Sequence, residues 1–232
     1  MPTMVAGGQN LSRMQQNSSS LILWRHPFVS MTVTVDFSRY KGFVFDLDGT
    51  LIDSMPFHIR AWQQVANEHG FAITPDFIYD RGGFSSRNIV RDMAKEGHDV
   101  GSVEDFVARK VQLYRDHIQE VPLFPEVFQI LKEAHERGAK TAIGSGTQRK
   151  NVVDILAIHH IEHLVDVIVS ADDVTEHKPR PETFLQAMRL MGVTPEQTLV
   201  VEDGKPGIQA AAAAHADCLI VDRGSFVELV KA

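Results

Sequence analysis

A short apolar run that opens abruptly into two aspartates constrains this chain more than any other segment. Residues 43–54 read FVFDLDGTLIDS. Residues 43–47 predict a buried strand, and Asp48, Gly49 and Thr50 predict the turn that ends it. Carboxylates at such a junction lie at the C-terminal edge of a sheet, where open α/β folds bind ligands. Asp46 and Asp48 repel each other there unless a cation lies between them or one holds a proton. That arrangement suits a Mg²⁺ site joined to nucleophile and acid–base chemistry. An Asx-type turn closing a strand draws on the same residue types, so the segment by itself leaves both readings open.

The chain has 232 residues, which fits one large domain or two small ones, and 44% of them are hydrophobic, enough to fill a core. A net charge of −7 argues against nucleic acid and anionic membranes as partners, because both need a basic face. An anionic substrate would need a metal or a few cations to correct the field locally. Cys218 is the single cysteine, so no internal disulfide can form. It lies in the apolar segment DCLIVD, reads as a core residue, and points to a reducing, cytoplasmic location. No apolar run approaches the roughly 18–20 residues that span a bilayer.

Residues 1–30 contain no Asp or Glu and carry Arg13, Arg25, a Ser/Asn/Gln-rich stretch and the apolar patch LILW. They read either as an organelle-targeting segment or as a tail ahead of a natural start at Met31. The expected organisation is an N-terminal extension over 1–35, disordered, an α/β core over 36–53 and 121–232, and a helical insertion over 54–120. In the insertion, helices are predicted over 54–70, 76–79, 86–95 and 103–118, with SSRN and SVED as N-caps. Beyond it, β and α alternate. Strands are expected over 140–144, 165–170, 198–201 and, last, 218–221, with helices over 125–137, 150–158, 181–191 and 208–214. Regular alternation implies a parallel sheet with right-handed crossovers.

Four polar clusters fall at or just after the ends of these strands: Asp46/Asp48, Ser145-Gly146-Thr147, Lys178, and Glu202/Asp203. In a parallel sheet those ends share one edge. Taken singly, Ser145 could be a turn hydroxyl, Lys178 a solvated lysine, and Glu202/Asp203 a capped turn. Chance accounts poorly for all four in order.

With the motifs FDLDGT, GSGT, KPRPETF and VVEDGKPGIQAA, the chain resembles the haloacid dehalogenase superfamily over about residues 40–222. It is most similar to the β-phosphoglucomutase-like and fructose-1-phosphate phosphatase-like proteins, whose first cap helix carries a His and a Trp four apart, matched by His58 and Trp62. The resemblance implies a Rossmann-like parallel-sheet core with an inserted helical cap. It implies Mg²⁺ held by Asp46, the Asp48 carbonyl, Asp203 and Glu202, the last directly or through water. Asp46 would be the nucleophile and Asp48 the acid–base. Ser145 and the Gly146 amide would hold phosphate oxygens, and Lys178 would neutralise charge.

In the cap, the resemblance implies that His58 orients a sugar phosphate and that the loop containing Gly82, Gly83 and Phe84 sets specificity. Lys110 sits where relatives place a substrate-contacting lysine. Packing is the alternative reading for His58 and Trp62, and solvent exposure for Lys110. The mutases carry a cap-loop arginine that grips the non-transferring phosphate. Here Ser86 stands at that position and Arg87 follows it. The expectation is therefore a monomeric phosphatase of a small sugar phosphate, of the fructose 1-phosphate or 6-phosphogluconate type, with a β-phosphoglucomutase as the alternative.

Overall fold

The computed structural model describes residues 21–23, 34–81 and 84–232. Its centre is a six-stranded sheet in the order β5-β4-β3-β6-β7-β8. The strands are β3 (Gly42–Phe45), β4 (Lys140–Gly144), β5 (Val167–Val169), β6 (Thr198–Glu202), β7 (Asp217–Asp222) and β8 (Ser225–Val230). The first five are parallel, and the central β3 and β6 are buried throughout, which is why they read as continuous apolar runs.

Alternate side chains leave the sheet on opposite faces. Phe43, Phe45, Leu199, Val201, Leu219 and Val221 pack with α5 (Pro125–Glu136) and α6 (Arg149–Ile158). Val44, Val200 and Cys218 pack with α7 (Glu182–Met191) and α8 (Lys205–Ala213). Cys218 is thus the core residue it was expected to be. Ala210 and Ala211 on α8, with Ala214 just past its end, supply the small surface that meets this face of the sheet.

Several expectations are corrected. Residues 218–221 do not form the last strand, and the sheet is not wholly parallel. β7 turns through Arg223 (φ +48°) and Gly224 (φ +77°) into the antiparallel edge strand β8. Two successive left-handed residues make the hairpin whose twist matches its strands. The first strand also ends at Phe45 rather than residue 47. The amides of Leu51 and Ile52 both donate to the Leu47 carbonyl, folding 47–52 into a tight loop. Within the expected extension, β1 (Leu21–Leu23) pairs antiparallel with β2 (Thr34–Asp36). Residues 1–20 and 24–33, on which the targeting or tail reading falls, lie outside the described residues.

Between β3 and α5 the chain forms α1 (Met55–Glu68), α2 (Pro75–Tyr79), α3 (Ser86–Lys95) and α4 (Val103–Arg115). These helices close a separate apolar cluster around Trp62, Val65, Val90, Met93 and Phe106. The side chains of Ser85 and Ser102 cap α3 and α4 by accepting from the amides of Asn88 and Asp105. α4 ends at Arg115, short of the expected Ile118, and a separate 3₁₀ turn follows over Ile118–Glu120. No helix among the described residues is long and apolar enough to cross a membrane.

Candidate active site

Asp46, Glu202 and Asp203 each offer a carboxylate oxygen, and these atoms all lie within 4.8 Å of one another. The Asp46 amide donates to the Val201 carbonyl, so β3 delivers Asp46 beside the end of β6, where Glu202 and Asp203 follow. Lys178 Nζ donates to Asp46 Oδ1 at 2.6 Å and to Glu202 Oε1 at 3.1 Å, from a side chain with no exposed surface. The other Glu202 oxygen accepts the amides of Asp203 and Gly204. Thr50 Oγ1 donates to Asp203 Oδ1 at 2.6 Å. Gly49, at φ +88°, carries no Cβ that would overlap the Asp203 carboxylate, and Gly207 likewise leaves room for Glu202.

Burial and the Glu202 charge push Asp46 up to about 8, although Lys178 opposes them. Burial, Glu202 and Asp46 likewise push Asp203 well above the usual carboxylate range. Burial alone would lower Lys178, but Asp46 and Glu202 outweigh it and keep the ammonium charged. One cation therefore faces three carboxylates, Asp46 and Glu202 buried and Asp203 half-buried. The cluster is short of positive charge, and its donors are all oxygen, which fits a hard divalent cation. Lys178→Met should destabilise the protein in chelator by about 3–5 kcal/mol, since it leaves Asp46 and Glu202 buried without a counter-charge. Millimolar Mg²⁺ should recover part of the lost melting temperature. A variant that melts like the wild type in chelator would deny Lys178 this role.

Asp48 sits in a different environment. Its Oδ1 accepts from Ser54 Oγ at 2.7 Å and His58 Nε2 at 2.9 Å, and its Oδ2 from Thr147 Oγ1 at 2.6 Å. Burial acts to raise its proton affinity, but His58 and the two hydroxyls outweigh burial and hold the carboxyl well below its ordinary range. Lys110 Nζ lies 2.7 Å from His58 Nδ1. An ammonium can only donate, so Nδ1 is the acceptor and the Nε2–H donates to Asp48. Burial and the neighbouring Lys110 lower His58, which keeps the imidazole neutral. Burial also pulls Lys110 down, to about 8. Ser54, His58 and Trp62 succeed each other at four-residue spacing along α1, and Lys110 and Tyr114 do so on α4, so each set lies on one face.

The structure brings nearly all the expected residues to one cleft. Asp46, Asp48, His58, Trp62, Lys110, Ser145, Gly146, Glu202 and Asp203 line it, and Lys178 lies directly behind Asp46. Ser145 is 1% exposed and its Oγ accepts the Thr147 amide, which leaves the hydroxyl hydrogen to donate. Gly83 lies outside the described residues. Ser86 and Arg87 line a polar annex with Gln148, Asn151, Asp172 and His177. Trp62 is 2% exposed and packs mainly among the helices, against Phe106. The sequence marked Thr50 and Thr147 without giving them a role, and Ser54 and Tyr114 were not singled out. Ser54 stands four residues before His58 and Thr147 two after Ser145, and those spacings were the available signal.

A model of the haloacid dehalogenase-like hydrolase family matches residues 43–221. An uncharacterised Haemophilus influenzae protein is 37% identical over 78% of this chain and 90% of its own length. Fructose-1-phosphate phosphatase YqaB of Escherichia coli is 32% identical over 80% of this chain and 98% of its own. A solved β-phosphoglucomutase of Clostridium difficile superposes with a TM-score of 0.72 at 25% identity, covering 78% of this chain and 84% of that one.

Proposed function

The chain belongs to the haloacid dehalogenase-like hydrolases, and within that family we propose that it is a Mg²⁺-dependent phosphatase of small sugar phosphates, working through a phosphoryl group carried on Asp46. The observation that carries this reading is the contrast between two aspartates on one loop. Asp46 faces a lysine and two further carboxylates, whereas Asp48 is held by two hydroxyls and an imidazole. Two carboxylates in environments that push their proton affinities apart take different roles.

Asp46 Oδ attacks phosphorus and the bond from phosphorus to the sugar oxygen breaks. Asp48 gives its proton to that departing oxygen. It then takes a proton from the water that attacks phosphorus, releasing inorganic phosphate and regenerating Asp46. In the ligand-free site Asp48 is ionised. The negative charge of a bound phosphate raises its proton affinity, which readies it as the acid. Lys178 offsets charge between Asp46 and the phosphoryl oxygens, while the Ser145 hydroxyl and the Gly146 amide bind those oxygens. Asp46, Asp203 and the Asp48 carbonyl would hold Mg²⁺, with Glu202 as their support, and the ion would supply further charge neutralisation. The helical unit acts as a cap that excludes bulk water.

The phosphatase name of the E. coli relative supports hydrolysis. The annex supports it too. Its cations are Arg87 and Lys110, and Lys110 is already committed to His58. A mutase must also grip the non-transferring phosphate, and Ser86 stands where the mutases carry the arginine that does so. Phosphate release with Mg²⁺ should be measured over fructose 1-phosphate, β-glucose 1-phosphate, 6-phosphogluconate and an aryl phosphate. Metal-dependent release is expected. Conversion of β-glucose 1-phosphate to glucose 6-phosphate without free phosphate would replace the phosphatase with the mutase.

A further inference from the structure

Tyr114 has no part in the reaction as described, yet it touches the residues that do. Its ring stacks on the His58 imidazole with centroids 4.0 Å apart and planes 15° from parallel. The Lys110 ammonium lies 5.4 Å from the Tyr114 centroid and 5.0 Å from that of Trp62, so the two rings bracket it. Tyr114 is 1% exposed, and its hydroxyl is buried without a hydrogen-bond partner among the described residues. A buried orphan hydroxyl carries a cost, so the hydroxyl does not explain why a large ring occupies this place.

The two rings of the bracket both ride on helices of the insertion but pack in different apolar clusters. Trp62 packs in the apolar cluster of the helical unit. Tyr114 packs in the main cluster beneath the sheet, with Leu47, Leu51, Ile52 and Val121. Those residues include the loop that carries Asp48. His58 rides on α1 and Lys110 and Tyr114 on α4, and the ring that His58 rests on is anchored by its packing in the core cluster. A flat ring pressed on the imidazole leaves rotation in its own plane as the main freedom, and Lys110 at Nδ1 removes that.

We propose that Tyr114 is a positioning residue that, with Trp62, holds the Lys110–His58 pair so that the His58 Nε2–H stays aimed at Asp48 Oδ1. This rests on the acid–base reading of Asp48. The ring face does the work and the hydroxyl does none. Positioning of this kind acts on the chemical step, because small displacements of a catalytic group cost far more in rate than in binding.

The test compares Tyr114→Phe with Tyr114→Leu in the full chain. Tyr114→Phe keeps the stack and should keep kcat within about twofold, whereas Tyr114→Leu should lower kcat by about 10- to 100-fold with KM within about threefold. Should the leucine variant not fold, Tyr114→Met makes the same comparison. Imidazole ¹⁵N NMR gives a readout independent of turnover: His58 should be a single Nε2–H tautomer in the wild type and in Tyr114→Phe, and a mixture in Tyr114→Leu. Equal kcat losses in the phenylalanine and leucine variants, or an unchanged His58 tautomer in Tyr114→Leu, would overturn the proposal. A wild type that hydrolyses no phosphomonoester would instead sink the phosphatase reading, and the NMR comparison would still decide the role of Tyr114.

Discussion

Asp46→Asn should abolish phosphate release, by about 10⁵-fold or more, while leaving the protein folded. An amide oxygen does not form a stable phosphoryl adduct, so the first step has no nucleophile. The fold should survive because the side chain keeps its size and Lys178 keeps Glu202 as a partner at 3.1 Å. In chelator the variant should be as stable as the wild type or more so. Burial and the Glu202 charge raise the proton affinity of Asp46, so one fewer carboxylate relieves the crowd. The folded pKa of Asp46, about 8, lies above its unfolded value. Its titration therefore favours the folded state at low pH, and that contribution fades as pH rises towards 8. Asp46→Asn should flatten this decline in metal-free melting curves. Appreciable phosphate release by the variant would remove Asp46 as nucleophile.

Asp48→Asn should separate the two halves of the reaction. The asparagine can still accept from Ser54 and His58, and the Thr147 hydroxyl can turn to accept from its amide, so the loop should keep its shape. What it cannot do is carry a proton between leaving group and water, a loss of about 10²- to 10⁴-fold on sugar phosphates. An aryl phosphate leaves without protonation. With that substrate the variant should release about one equivalent of phenol in a burst and then stall. Steady turnover at the wild-type rate would show that Asp48 is not the acid–base.

The parts of this site legible in the sequence are those that local chemistry forces. Asp46 and Asp48 end an apolar strand, and Glu202 and Asp203 end another. Regular β–α alternation puts both on one edge, so their meeting follows from topology. Lys178 was readable as a member of the set, but its burial was not. A lone lysine in a loop is ordinarily solvated, and only the tertiary placement of Asp46 and Glu202 makes full burial tolerable. Tyr114 escaped notice because its partners are distant in the chain, His58 on α1 and Leu47 in the loop after β3. The strand β8 escaped because the Arg223-Gly224 turn lacks the Asn or Asp that usually marks such a hairpin. The annex around Arg87 depends on how the helical insertion meets the core, which no local pattern encodes.

The most direct test of a phosphoryl group carried on Asp46 is mass spectrometry of the Asp48→Asn protein, quenched after mixing with Mg²⁺ and an aryl phosphate. One phosphoryl group on the peptide that carries Asp46, removed by hydroxylamine as an acyl phosphate is, is the predicted result. A phosphoryl group on any other residue, or none at all while the wild type turns the same substrate over, would contradict the account.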